Sequence, residues 1–254
     1  MATTTTATRG KKSAIVTAKA TNNDWFEATV ETITKESPNV KTFVFHTPKP
    51  ITNLAGQHYE LRLNAENGYQ AARLYSAAKY SDGDQSLALT VMRVPDGEVS
   101  PYVFNQLALG DQVEIRGPFG KYFTWSPDTK QSIFLIGGGS GIVPLHAIFS
   151  AHRDTKSSTD IKLLYSEHTY DDILYKDDLL TATEAVITLT KEWPASWKGS
   201  TGRVNSQLID ELLGSFSQIP LCYICGMNTF VNAVADGLQD AGIPATMIRT
   251  ERFG

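Results

Sequence analysis

The chain has 254 residues, 41% of them hydrophobic and 20% charged, with a formal net charge of -4. That length holds one large or two ordinary domains, and the mild acidity does not suggest a nucleic-acid partner. No apolar run reaches the ~18–20 residues of a membrane span; the longest, IFLIGGGSGIVPLHAIF at 133–149, is broken by glycines and a proline.

Residues 1–23 carry no acid and no hydrophobic period, which predicts a disordered tail. An acid-poor segment bearing Thr and Lys also suits an organelle transit peptide, although arginine is sparse. No secretory hydrophobic region is present, and the expected location is the cytoplasm.

From Trp25 to Gly120 the pattern is short, alternating and punctuated by turns. Segments 28–33, 40–46, 58–63, 72–77, 86–92 and 111–117 each alternate as a strand does. NAENG, SDGD and LALGD are turn signals between them. Six such strands predict a closed antiparallel barrel. One helix is expected within it, over 100–108, with Ser100 as its cap.

From Ser132 the rhythm changes. Strands are expected at 133–137, 161–166, 185–190, 221–226 and 245–251, and helices at 143–153, 175–183, 204–213 and 230–242. Strands alternating with helices predict a doubly wound parallel sheet. The boundary falls near 124–131, giving a tail at 1–23 and domains at 24–126 and 127–254.

Ligands of such sheets bind at the carboxyl ends of the strands. After the first strand come Gly137, Gly138, Gly139, Ser140 and Gly141, then Pro144 in the first helical turn, where a missing N–H is harmless. Backbone N–H groups there can approach a phosphate, and a helix N-terminus favours its charge. After the second strand come Ser166, Glu167 and His168. With Arg203, Ser166 and His168 suit a ribose 2′-phosphate, which tilts the expectation slightly to NADPH, while Glu167 opposes one. After the fourth strand come Cys225, Gly226 and Met227. Gly226 permits close approach of a ring, with Cys225 beneath it; a buried core thiol is the alternative.

Cys222 and Cys225 also form a CxxC. Three residues apart on a strand, their side chains point to opposite faces, and no second pair completes a zinc site. No metal site is expected. Two cysteines are too few for an iron–sulfur cluster, so any cluster in an electron path must belong to another protein.

In the barrel half, Arg73 and Tyr75 share one face of an extended strand, and Ser76 points the other way unless the strand bends. A cation and a ring on one face suit a flavin nucleotide; an ordinary cross-strand pair is the alternative. Arg93, Gly97 and Ser100 follow, a second candidate anion site at a helix start.

These motifs together resemble the ferredoxin–NADP reductase superfamily, of the bacterial FAD-binding oxidoreductase type without a fused ferredoxin domain. The resemblance covers about 24–254. The family's R-x-Y-S motif is matched by Arg73, Tyr75 and Ser76, its G-x-x-S turn by Gly97 and Ser100 with the Val99 backbone between them, and its G-G-x-G-[IV]-x-P loop by Gly138, Gly139, Gly141, Ile142 and Pro144. Cys225 and Gly226 match its C-G motif, with Met227 in place of the usual proline. The resemblance implies FAD held by Arg73, Leu74, Tyr75, Ser76, Val91, Arg93, Gly97, Val99 and Ser100. It implies NADPH or NADH on Gly138, Gly139, Ser140, Gly141, Pro144, Ser166, His168, Arg203, Cys225, Gly226 and Met227. Ser76 would reach the flavin N5, Cys225 would sit at the nicotinamide, and Phe253 of the terminal ERFG would stack on the flavin's other face; these three form the implied catalytic set.

The implied function is NAD(P)H-dependent reduction of a separate redox protein through FAD. A ferredoxin, a flavodoxin or a partner oxygenase or other metalloenzyme would fit as acceptor. The alternatives are a free-flavin or ferric reductase, or a non-catalytic flavin-binding relay subunit.

Overall fold

The computed structural model describes residues 24–253; the expected tail at 1–23 lies outside them. The first half is a barrel of β1 (Phe26–Ser37), β2 (Val40–Asn53), β3 (His58–Asn64), β4 (Gln70–Ser76), β5 (Ser81–Met92) and β6 (Gln112–Phe119). Neighbours run antiparallel in the order β4-β3-β6-β1-β2-β5. A bridge between Ala77 and Leu89, with Ala78 N–H donating to Ala88 at 2.8 Å, joins the two outer strands. Alternate residues fill the interior, among them Phe43, Phe45, Tyr59, Leu61, Leu87, Leu89 and Ile115, as the two-residue period of a strand requires. Between β5 and β6 runs α1 (Ser100–Gln106).

The second half is a parallel sheet of β7 (Ile133–Gly138), β8 (Ile161–Thr169), β9 (Ala185–Glu192), β10 (Ser200–Thr201), β11 (Leu221–Met227) and β12 (Ile248–Phe253), ordered β10-β9-β8-β7-β11-β12. Its helices are α2 (Ile142–Asp154), α3 (Lys176–Leu179), α4 (Ser206–Leu213) and α5 (Asn228–Asp240). The run Ile133-Phe134-Leu135-Ile136 is apolar throughout because both its faces are covered. Ile133 and Leu135 pack with Leu145, Ile148 and Phe149 of α2. Phe134 and Ile136 pack with Ile209 and Leu212 of α4 and Val231, Val234 and Leu238 of α5. Cys222 and Cys225 are free thiols that fall into these two opposite cores.

The connection between the halves is itself packed. Trp125 bridges to Ala55 of the barrel, while Tyr223 of β11 donates its hydroxyl to Thr124 at 2.8 Å. The core beneath α2 takes in Val40, Ala55 and Ala78 from the barrel as well as Phe123 and Trp125.

Several local expectations are corrected. Ser100 is not a cap: it is the first residue of α1, and its hydroxyl accepts the Val94 N–H at 3.1 Å. The SDGD turn signal lies inside β5, because Asp82 and Asp84 extend the pairing with Thr52 and Ile51 of β2. The helix expected at 175–183 is one turn, and the strand expected at 245–251 begins at Ile248 after a 3-10 turn. The two-residue β10 has too little sequence to show a period.

Candidate active site

The sheet's connections reverse direction between β7 and β11: β7 leads to α2 on one face and β11 to α5 on the other. That crevice, at the carboxyl ends, is where an open parallel sheet receives a ligand. Two glycine segments meet in it. A Cβ on Gly141 would collide with the carbonyl of Cys225. One on Gly138 or on Gly226 would press on the Phe230 ring at 2.9 Å. These three glycines let the two loops touch. Gly139 is different: its φ is +56, and a Cβ there would meet only Glu167 Oε2, 4.0 Å away. The turn Gly139–Gly141 runs directly into α2, and the Ile142 N–H at the start of that helix donates back to Gly139 O and Ser140 O.

In the second half of β8, Tyr165 donates its buried hydroxyl to Glu167 Oε2 at 2.9 Å, and His168 N–H donates to Glu167 Oε1 at 2.7 Å. Burial raises the Glu167 pKa, opposed by those two donors. Ser166 is half-buried and His168 exposed. Arg203, also exposed, follows β10, and β9 separates that strand from β8. Ser166 and His168 share β8, while Arg203 follows a strand two places away in the sheet, and a fixed carboxyl lies between Ser166 and His168 in the chain.

On the barrel, β4 pairs with β3 so that Tyr75 faces Tyr59 and Ser76 faces His58. Arg73 donates to Ala72 O at 2.7 Å and reaches Glu98 Oε2 at 3.4 Å. Tyr69 donates to the other oxygen of Glu98 at 2.9 Å. The Tyr75 ring packs on the barrel core, but its buried hydroxyl has no partner among the described residues, and burial pushes its pKa up to about 12. Leu74 is 58% exposed beside it, and Val91 is fully buried. Arg93 is tied elsewhere, donating to Asn39 Oδ1 at 2.7 Å with its guanidinium 5.2 Å from the Phe104 ring. Gly97 is held against Ser100, whose Oγ would lie 3.1 Å from an added Cβ.

The halves also meet where the start of β3 faces the end of β12. His58, opposite Ser76, has Nδ1 at 3.8 Å from Glu251 Oε1. Glu251 pairs across β12 with Cys225, and Phe253 with Met227. Burial lifts the Glu251 carboxyl to about 7 and lowers the His58 imidazole, so burial opposes the charged form of both partners. The Cys225 thiol is raised well above its usual value, first by burial and then by the nearby Glu251 charge. It sits in this seam as a neutral thiol. Phe253 is half-buried against the same core as Cys225.

Residues 27–124 match the oxidoreductase FAD-binding domain model, and residues 135–236 the oxidoreductase NAD-binding domain model. NADH-cytochrome b5 reductase 1 of Scheffersomyces stipitis is 31% identical over 211 residues, covering 79% of this chain and 73% of the relative. The chain belongs to the ferredoxin–NADP reductase family. Solved relatives include the Amycolatopsis cytochrome P450 reductase GcoB, with 26% identity and a TM-score of 0.78, covering 91% of this chain and 70% of that one. The ferredoxin reductase in carbazole 1,9a-dioxygenase gives 27%, a TM-score of 0.77 and the same coverages.

This flavoprotein reductase uses FAD and a nicotinamide dinucleotide, and its residues fit both. The orphaned Tyr75 hydroxyl offers a polar contact to a bound group. Arg73 and Tyr69 already hold one carboxylate between them, that of Glu98. Gly139 leaves room where a side chain would intrude. Sequence reading missed His58, Glu98, Phe230 and Glu251. Glu251 stands two residues before Phe253, inside a segment already singled out. His58 follows Gly56-Gln57 at a strand start, with nothing local to separate it from a surface histidine.

Proposed function

We propose that this reductase takes hydride from NADH and passes single electrons to a separate haem protein of the cytochrome b5 kind. The observation that carries the reading is the seam in which Ser76 and Cys225, from different domains, are linked through His58 and Glu251. A flavin ring against Tyr75 and Ser76 would then face a nicotinamide beside Cys225, Met227 and Phe253. Arg73 and the Gly97–Ser100 backbone would hold the flavin pyrophosphate, with Leu74 and Val91 beside the cofactor. Gly138, Gly139, Ser140 and Gly141 would hold the dinucleotide phosphates. Bound FAD supplies the conversion of two-electron transfer into single-electron steps. The chain supplies orientation and a water-poor contact.

NADH is favoured over NADPH because the Glu167 carboxyl, fixed by two donors, would lie near a 2′-phosphate. The relatives' names point the same way. The cytochrome acceptor rests on those names too. A partner oxygenase or its ferredoxin is the second reading, favoured by the two solved reductases above. We assign 24–126 to flavin and 127–254 to dinucleotide, and place the protein in the cytoplasm. Among the described residues no helix is long and apolar enough to cross a membrane.

The test is anaerobic stopped flow. The pure protein should lose its flavin absorbance on mixing with NADH, faster than with NADPH, and then reduce cytochrome b5. Rapid reduction of a ferredoxin but not of the cytochrome would select the second reading. Reduction of only free flavin or ferric citrate would make it a small-molecule reductase, and no bleaching at all would leave a relay subunit.

A further inference from the structure

Tyr175 is one of two non-glycine residues in the described chain with positive φ, at φ 51 and ψ 39. A side chain in that region is strained by ~1–2 kcal/mol, so its surroundings must hold it there. They do so from both domains. Its ring stacks on His146 of α2, with centroids 3.9 Å apart and planes 10° from parallel. His146 Nε2 in turn meets Asp178 at 2.8 Å, which also accepts from Arg153 at 2.7 Å. On the other side lies the barrel. The Tyr175 hydroxyl is 2.7 Å from Thr90 Oγ1 of β5, Thr90 Oγ1 is 2.8 Å from Thr42 Oγ1 of β2, and Thr42 donates to Glu36 Oε1 of β1 at 2.7 Å. The Tyr175 N–H returns to Glu36 Oε2 at 3.3 Å.

One proton per hydroxyl fixes the direction of this chain. Thr42 gives its proton to Glu36, so Thr90 must donate to Thr42, and Tyr175 must donate to Thr90. Every link is polarised toward a carboxylate at the end, which strengthens the set as a unit. A neutral tyrosyl hydroxyl is required, and burial raises its pKa accordingly.

We infer that Tyr175 is a positioning residue that fixes how the dinucleotide domain sits on the barrel, and so how closely nicotinamide and flavin approach. α2 begins at the glycine turn, and Tyr175 fastens α2 through His146. Thr90, its partner on β5, directly precedes Val91. The inference rests on the proposal that hydride crosses the seam between the domains. Small displacements of reacting centres are heavily penalised in rate, whereas dinucleotide affinity depends on contacts within one domain.

The test uses the FAD-loaded full chain and three variants: Tyr175→Phe, which keeps the stacked ring, Thr90→Val, and both together. Each single variant should slow anaerobic flavin reduction by NADH about tenfold and weaken the long-wavelength nicotinamide–flavin charge-transfer absorbance. NAD⁺ affinity and flavin content should stay within about twofold. The double variant should be no slower than Thr90→Val alone, because that variant already removes the Tyr175–Thr90 bond together with the Thr90–Thr42 bond. Wild-type rates in the single variants would overturn the inference. So would losses that multiply in the double variant, or slowing that merely follows lost flavin. Failure of the wild-type protein to be reduced by either dinucleotide would instead bring down the functional proposal on which this rests.

Discussion

Gly141 lies so close to the carbonyl of Cys225 that the loops after β7 and β11 touch backbone to backbone. An alanine there must push main chain, which yields far less than a side-chain tip. Gly141→Ala should lower unfolding stability by about 2 kcal/mol or more, read from a urea transition. Gly139→Ala is the contrast: it has space but a φ of +56. It should lose about 1 kcal/mol of stability yet weaken NAD⁺ binding severalfold. Equal stability of the two variants would show that the loops are not in the contact described.

Arg73 and Glu98 form an ion pair that the flavin pyrophosphate would have to share. A charged hydrogen bond to phosphate contributes ~1.5–3 kcal/mol, so Arg73→Ala should weaken FAD binding at least tenfold in a fluorescence titration of apoprotein. Glu98→Gln removes a competing anion. More than half of each side chain is exposed, and an exposed pair is worth no more than ~1 kcal/mol. FAD should therefore tighten by up to about fivefold. Weaker FAD binding in Glu98→Gln would mean that the carboxylate supports the site.

The Glu251 carboxyl holds its proton to about pH 7 in the folded chain, against 4.5 as the ordinary value. The folded state thus binds more protons between those values, and this group's contribution to stability falls as pH rises through that window. His58, depressed by burial, acts in the opposite sense, so the comparison must be between variants. Glu251→Gln should match wild type near pH 4.5 and be more stable by up to ~3 kcal/mol above pH 7. A constant difference across pH would place the titration elsewhere.

Phe253 packs half-buried at the strand end beside Met227, where a nicotinamide would need to lie. Phe253→Ala should tighten NAD⁺ binding, because less of the binding energy goes into displacing a ring, and should shift the flavin absorbance. If neither the spectrum nor the affinity moves, Phe253 does not cover the flavin.

What could be read from the residues and what could not divides by range. The six barrel strands and the alternating half were legible because burial imposes period two on Phe43 and Phe45, and two-sided burial makes 133–136 wholly apolar. The glycine turn was legible as the link from strand to helix, but not the reason for each glycine. That Gly138 and Gly226 both accommodate Phe230 is a contact between segments some 90 positions apart. Ser100 carries the residue type of a cap, yet the chain spends its hydroxyl on Val94. His58 and Glu251 were illegible for the same reason as Tyr175: each gains its meaning from the opposite domain.

The core beneath α2 draws Val40, Ala55 and Ala78 from the barrel and Phe123 and Trp125 from the connection into one apolar cluster with the parallel sheet. Neither half can melt without opening that cluster to water. Heating should therefore give one calorimetric transition, with van't Hoff and calorimetric enthalpies in agreement, rather than two. A chain cut within 126–131 should keep its halves associated until that transition, and the second half expressed alone should be insoluble.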